Sequence, residues 1–156
     1  MKAASLKEIK FELAGLTQKE LLEICLSLTK FKKENKELLT YLLFEASNEA
    51  TFVKEIKIEI SEQFSEINTT SYYFMKKSVR KILRNIKKYV RYSKKKQTEV
   101  ELLIYFCKEL KKMKPSMKNN TVLFNIYHRQ VDAIRKVLSN LHEDLQFDYE
   151  EELNEL

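Results

Sequence analysis

A single glycine, Gly15, in a chain of 156 residues removes most of the folds otherwise open to it. Average usage would supply about 11 glycines at this length. Glycine takes positive φ cheaply, so tight hairpins and phosphate-cradling loops depend on it. A β-sandwich or a nucleotide-binding α/β fold can hardly be built with one. Proline also occurs once, at Pro115, so little interrupts a helix. The chain is therefore expected to be all-α. Hydrophobic residues make up 44% of it, enough for a globular core, and the length suits one domain.

Caps and periodicity predict about seven helices. Ser5 with Glu8, and Thr17 with Glu20, form capping boxes in which a hydroxyl accepts from an orphan N–H and a carboxylate reaches back. Between them Gly15 offers a left-handed stop. Asn35 is expected to cap a third helix and Asn48 to start a fourth. The run Asn68-Thr69-Thr70-Ser71 punctuates the chain before a fifth helix from about Ser71 to Ser93. A sixth starts near Gln97 and Thr98 and ends by Pro115. Asn119, Asn120 or Thr121 caps a seventh, whose stripe Leu123, Tyr127, Ile134, Leu138, Leu141 and Leu145 is close to heptad spacing. Short connections imply antiparallel hairpins, arranged as a small HEAT-like array or an irregular bundle. Residues 1–146 are expected to form one helical domain and 147–156 an acidic C-terminal tail.

The fifth helix stands apart by charge. Residues 71–118 hold 16 basic and 3 acidic residues, against 10 and 12 in residues 1–70 and 3 and 8 in residues 119–156. Its candidate polyanion-binding residues are Lys76, Lys77, Arg80, Lys81, Arg84, Lys87, Lys88, Arg91, Lys94 and Lys95, with Lys96 following. At ~100° per residue those from Lys76 to Arg91 fill an arc of roughly 140°, beside an apolar arc that includes Met75, Val79, Ile82 and Ile86. Tyr73, Phe74 and Tyr92 fall outside the apolar arc, and aromatic rings beside basic groups suit single-stranded nucleic acid. Such a face can also be merely solvated, or screened by the acidic residues Glu143 to Glu155 at the other end. Zinc-finger, RNP and KH spacings are absent. The function expected is that of a helical interaction or scaffold protein with a basic surface. The alternative is a nucleic-acid-binding accessory protein that contacts phosphates through this helix. Membrane-surface binding is a third option.

Catalytic chemistry finds little support. The two histidines, His128 and His142, fall on the seventh helix about 21 Å apart along its axis. They cannot share a metal there. His128 and Asp132 are i,i+4 neighbours that could pair, with no nucleophile in reach. Paired Glu-x-x-His motifs of a di-iron bundle are missing. No enzyme activity, metal or cofactor is expected. Cys25 and Cys107 lie on apolar helical stretches and are expected to be free, buried thiols. With no apolar signal region and no membrane-spanning run, the protein is expected to be cytoplasmic.

The opening Ser5-Leu6-Lys7-Glu8 with Leu16-Thr17-Gln18-Lys19-Glu20-Leu21, the stretch Ser78-Val79-Arg80-Lys81-Ile82, and Glu101-Leu102-Leu103-Ile104-Tyr105-Phe106 resemble a family of bacterial helical proteins of unknown function. The resemblance implies an all-α fold and carries over no activity and no functional residue.

Overall fold

A computed structural model describes all residues, Met1–Leu156. It contains eight α-helices and no strand: α1 Leu6–Ala14, α2 Gln18–Phe31, α3 Lys33–Thr40, α4 Glu49–Ser65, α5 Tyr72–Ser93, α6 Lys96–Lys112, α7 Thr121–Leu138 and α8 Glu143–Asn154. A π-helical turn, Tyr41–Glu45, follows α3, and a 3₁₀ turn, Met117–Asn119, precedes α7. No helix is long and apolar enough to cross a membrane. The chain divides into two compact units, Met1–Phe44 and Glu45–Leu156.

The eighth helix comes from a break in the expected seventh. The apolar spacing runs on through Leu138, Leu141 and Leu145, but the backbone does not. Ser139 Oγ and Asn140 Nδ2 both donate to Lys136 O and satisfy an orphan carbonyl where α7 ends. His142 is then the extended N-cap of α8, its Nδ1 accepting from the Asp144 N–H. The expected boundary at residue 146 falls inside α8, and the acidic segment is a helix.

Local signals at the N-terminus are met in part. Both capping boxes form, with Ser5 and Thr17 each accepting from the backbone three residues on. The Ser5 and Thr17 hydrogen bonds hold the Glu8 and Glu20 carboxyls below the usual carboxylate range. Gly15, however, closes α1 at φ −88°, so the chain's one glycine does not supply a left-handed turn. The one positive φ belongs to Lys94, at 58°, as the C-cap of α5. Asn35 does not cap α3, which starts earlier at Lys33. Its amide instead donates to Leu28 O in the last turn of α2.

In the second unit α6 packs against α4, α5, α7 and α8. Its buried residues explain why. Val100, Leu102, Leu103, Ile104, Phe106, Cys107 and Leu110 are all buried and span an arc of about 200° at helical spacing. A helix apolar over so wide an arc must be covered on several sides. The remaining face is polar and is covered too. Glu101 accepts from Lys57 of α4 and from Tyr149 of α8, Tyr105 bonds Ser61 of α4, and Lys108 pairs with Glu152 of α8. Phe64 tilts against Phe106 with ring centroids 5.6 Å apart. The two cysteines part company: both are free, Cys107 is buried with its thiol pushed up to about 12 by desolvation, and Cys25 is exposed, contrary to expectation.

Candidate polyanion-binding face

α5 exists because its core face outweighs its charge. Met75, Val79, Ile82 and Ile86 are at most 3% exposed, and burial of such side chains contributes about 1.5–3 kcal/mol each. Against this stand like-charge i,i+3 and i,i+4 neighbours such as Lys77–Arg80, Arg80–Arg84 and Lys87–Arg91, at ~0.2–0.5 kcal/mol per pair. Burial wins, and the helix holds its basic residues on the other side.

Ser71 provides the extended N-cap, without a side-chain hydrogen bond. At the C-terminus Glu49, in the first turn of α4, accepts from Ser93 Oγ and Thr98 Oγ1 and pairs with Lys95 Nζ at 3.0 Å. One carboxylate thus ties the end of α5 and the start of α6 to α4. Mid-helix, Tyr89 OH donates to the Glu59 carboxylate at 3.0 Å. These contacts fix the rotation of α5 and so which residues it presents.

Most of the expected residues are presented. Lys77, Arg80, Lys81, Arg84, Lys87, Arg91 and Lys94 are exposed, and no carboxylate lies within ion-pairing distance of any of them. Lys76 and Lys88 are half-buried, and Lys88 Nζ lies 5.0 Å from the Tyr89 ring centroid. Lys95 is held by Glu49 and serves the fold. The usable ribbon is therefore Lys77 to Arg91, with Lys94 beyond it, on a helix about 33 Å long.

The aromatic residues also divide. Tyr73 and Phe74 are 67% and 44% exposed, with ring centroids 5.4 Å apart. At ~100° per residue Tyr73 falls inside the basic arc and Phe74 at its edge. Tyr92 is buried and packs on Tyr89, so it cannot stack on a ligand.

The acidic segment does not screen the ribbon, contrary to one of the readings above. Its contacts are with α6 and α7. Glu152 and Glu155 pair with Lys108, Lys111 Nζ donates to Glu155 O, and Tyr127 OH donates to Leu156 O. The Glu152 hydrogen bond holds the Lys108 ammonium above its ordinary value. Burial, then the bond to Glu101, pushes the Tyr149 phenol well up, so it stays a donor. Ending the chain after Gln146 is therefore expected to lower unfolding free energy by about 2–4 kcal/mol, through the lost burial of Tyr149 and its lost hydrogen bond to Glu101. Polyanion affinity should stay the same. Urea unfolding and a binding titration of the truncated chain check both.

One contact outside the expected set reaches the start of α5. Tyr72 OH donates to Ser116 O at 2.9 Å, which brings the loop after α6, with exposed Lys114 and Lys118, to the start of α5. Helical periodicity carries no sign of this, because the two segments are 44 residues apart. The possible His128–Asp132 pair is absent. His128 packs on Phe124 with centroids 4.3 Å apart, and Asp132 lies 3.7 Å from Arg135. No group of three or more His, Cys, Asp or Glu side chains is placed to hold a metal ion. Comparison with known protein families, with characterised proteins and with solved structures gives no match.

Proposed function

We propose that this chain is a non-enzymatic helical interaction protein that binds the phosphate backbone of nucleic acid through α5. The observation that carries this is the run of exposed basic residues Lys77, Arg80, Lys81, Arg84, Lys87 and Arg91 with no carboxylate partner. Four acids of the unit, Glu49, Glu59, Glu101 and Glu152, are engaged with other groups. Fixed, unscreened like charge on one rod is a cost to the helix that a polyanion offsets. Tyr73 and Phe74 add stacking surfaces suited to unpaired bases. We read the packing around α6 as an irregular bundle rather than a stacked array, because α6 touches four other helices where repeat units contact only their neighbours. Such a function belongs in the cytoplasm, where nucleic acid is at hand.

The contacts go to phosphates, so affinity should depend weakly on sequence and strongly on salt. A face of this length reaches about 4–6 phosphates, which gives a slope of log K against log salt of roughly −3 to −5. Fluorescence anisotropy with single- and double-stranded oligonucleotides of unrelated sequence, from about 50 to 200 mM salt, measures it. No binding at the lowest salt rejects the proposal, and the ribbon is then a docking surface for an acidic protein or a solvated face. A slope near zero, or strong dependence on sequence, rejects the phosphate mechanism.

A further inference from the structure

We infer that the nucleic acid bound through α5 is single-stranded, and that Tyr73 sets this preference by stacking on an unpaired base. The inference rests on the phosphate-binding reading of α5 and adds the class of ligand to it.

The starting observation is an aromatic ring in the middle of a basic face. At ~100° per residue Tyr73 falls between Arg80 and Arg84, about 145° from the centre of the buried set Met75, Val79, Ile82 and Ile86. On that side it is 67% exposed and adds nothing to the core. Phe74, 44% exposed, stands across it, with ring centroids 5.4 Å apart and planes at 76°. That contact limits the rotation of Tyr73, so less side-chain freedom is lost when a base stacks on it. Along the axis Tyr73 precedes Lys77 by about 6 Å, Arg80 by about 10 Å and Arg84 by about 16 Å. A strand whose phosphates follow the ribbon reaches the ring at its end, where one base can turn onto it.

Packing keeps a duplex from using this ring. α5 lies against both α4 and α6, and its exposed residues from Tyr73 to Arg91 span only about 140°. Half-buried Lys76, Leu83 and Asn85 mark its flanks. A recognition helix, about 10–12 Å across with its side chains, fills a major groove about 12 Å wide. α5 cannot enter so far, because packed neighbours lie ~8–10 Å from a helix axis. A duplex therefore meets the ribbon only with its outer phosphates, and its paired, stacked bases show no face to Tyr73. A single strand has no such limit, since its bases turn out and every base has a π-face.

Rings beside lysines also suit anionic lipid. A helix that lies on a membrane buries an apolar face in it. The apolar face of α5 is in the core, and its exposed side offers two rings at one end, so nucleic acid is favoured.

Three ligands test this with the full chain: a single-stranded oligonucleotide, the duplex of the same sequence, and an abasic strand of the same length. In fluorescence anisotropy at about 50 mM salt, the single strand should bind at least ~5-fold tighter than the abasic strand, and tighter than the duplex. The duplex carries more charge per unit length, so a preference for the single strand comes from its bases. Tyr73→Ala should lower affinity for the single strand at least ~5-fold and leave the duplex and the abasic strand unchanged. The slope of log K against log salt should stay as it was, because the ring carries no charge. Tyr73→Phe keeps the ring and should keep the affinity. The chain has no tryptophan, so Tyr73→Trp places a lone indole there, whose fluorescence the single strand should quench and the abasic strand should not. A duplex bound as tightly as the single strand, or Tyr73→Ala matching the parent on the single strand, overturns the inference and leaves the phosphate reading of α5 standing. Binding to none of the three ligands overturns both, and if phosphatidylcholine–phosphatidylserine vesicles then capture the chain, the rings meet lipid instead.

Discussion

Phe106→Ala is expected to remove roughly 3–5 kcal/mol of stability and to lower the melting temperature by about 6–20 °C. Phe106 is fully buried on α6, against Phe64 of α4. The loss has two parts, the transfer free energy of the ring and a cavity that its neighbours cannot close. Collapse is hindered because α6 is held from several sides, by α4, α5, α7 and α8. A native domain has only about 5–15 kcal/mol in hand, so one ring accounts for a large share of it. Tyr73→Ala, an exposed ring on α5, should change stability by no more than about 0.5 kcal/mol. Guanidinium unfolding of the two variants, followed by circular dichroism, gives the comparison. A loss below about 1 kcal/mol for Phe106→Ala would show that α6 is not the centre of the core.

That centre could have been read from the sequence and was not. The stretch Val100 to Cys107 is apolar at every position but Glu101, and a helix so patterned has to be enclosed. Charge singles out α5 in the sequence, whereas burial singles out α6. The all-α class, by contrast, followed from one glycine, and the starts of α1, α2 and α4 from their caps Ser5, Thr17 and Asn48. Where reading failed, a local signal was outweighed by something non-local or by a competing hydrogen bond. Leucines 138, 141 and 145 keep helical spacing across a real break, since Ser139 and Asn140 bond back to Lys136 O. Asn35 looks like a cap for the helix after it and closes the helix before it. Periodicity placed the ribbon of α5 correctly on the side away from Val79 and Ile82. It could not tell that Lys95 is taken by Glu49, that Tyr92 is buried, or that Ser116 brings Lys114 and Lys118 to the start of the helix. Each of those depends on a partner distant in sequence.

Exchanging Lys77, Arg80, Arg84, Lys87 and Arg91 together for glutamine should lower affinity for nucleic acid by about 10²–10³-fold at low salt and bring the salt slope close to zero. The same five changes should leave stability equal or raise it slightly. This opposition of signs separates a binding surface from a structural one. The five side chains are exposed and make no ion pair, so no partner is orphaned when they go. Their removal also relieves like-charge neighbours on the helix, worth ~0.2–0.5 kcal/mol per pair. Glutamine keeps a long stem over the adjoining apolar surface and a good helix propensity, so the change is one of charge alone. Ile82→Gln with Ile86→Gln is the contrasting case. These residues are 3% and 1% exposed, and two unpaired amides in the core should unfold the protein outright. If the five-fold variant keeps the parent's affinity and slope, the phosphate contacts lie elsewhere and α5 is excluded as the binding face. If it loses stability by more than about 1 kcal/mol, the ribbon belongs to the fold, and a fall in binding would then say nothing for a surface contact.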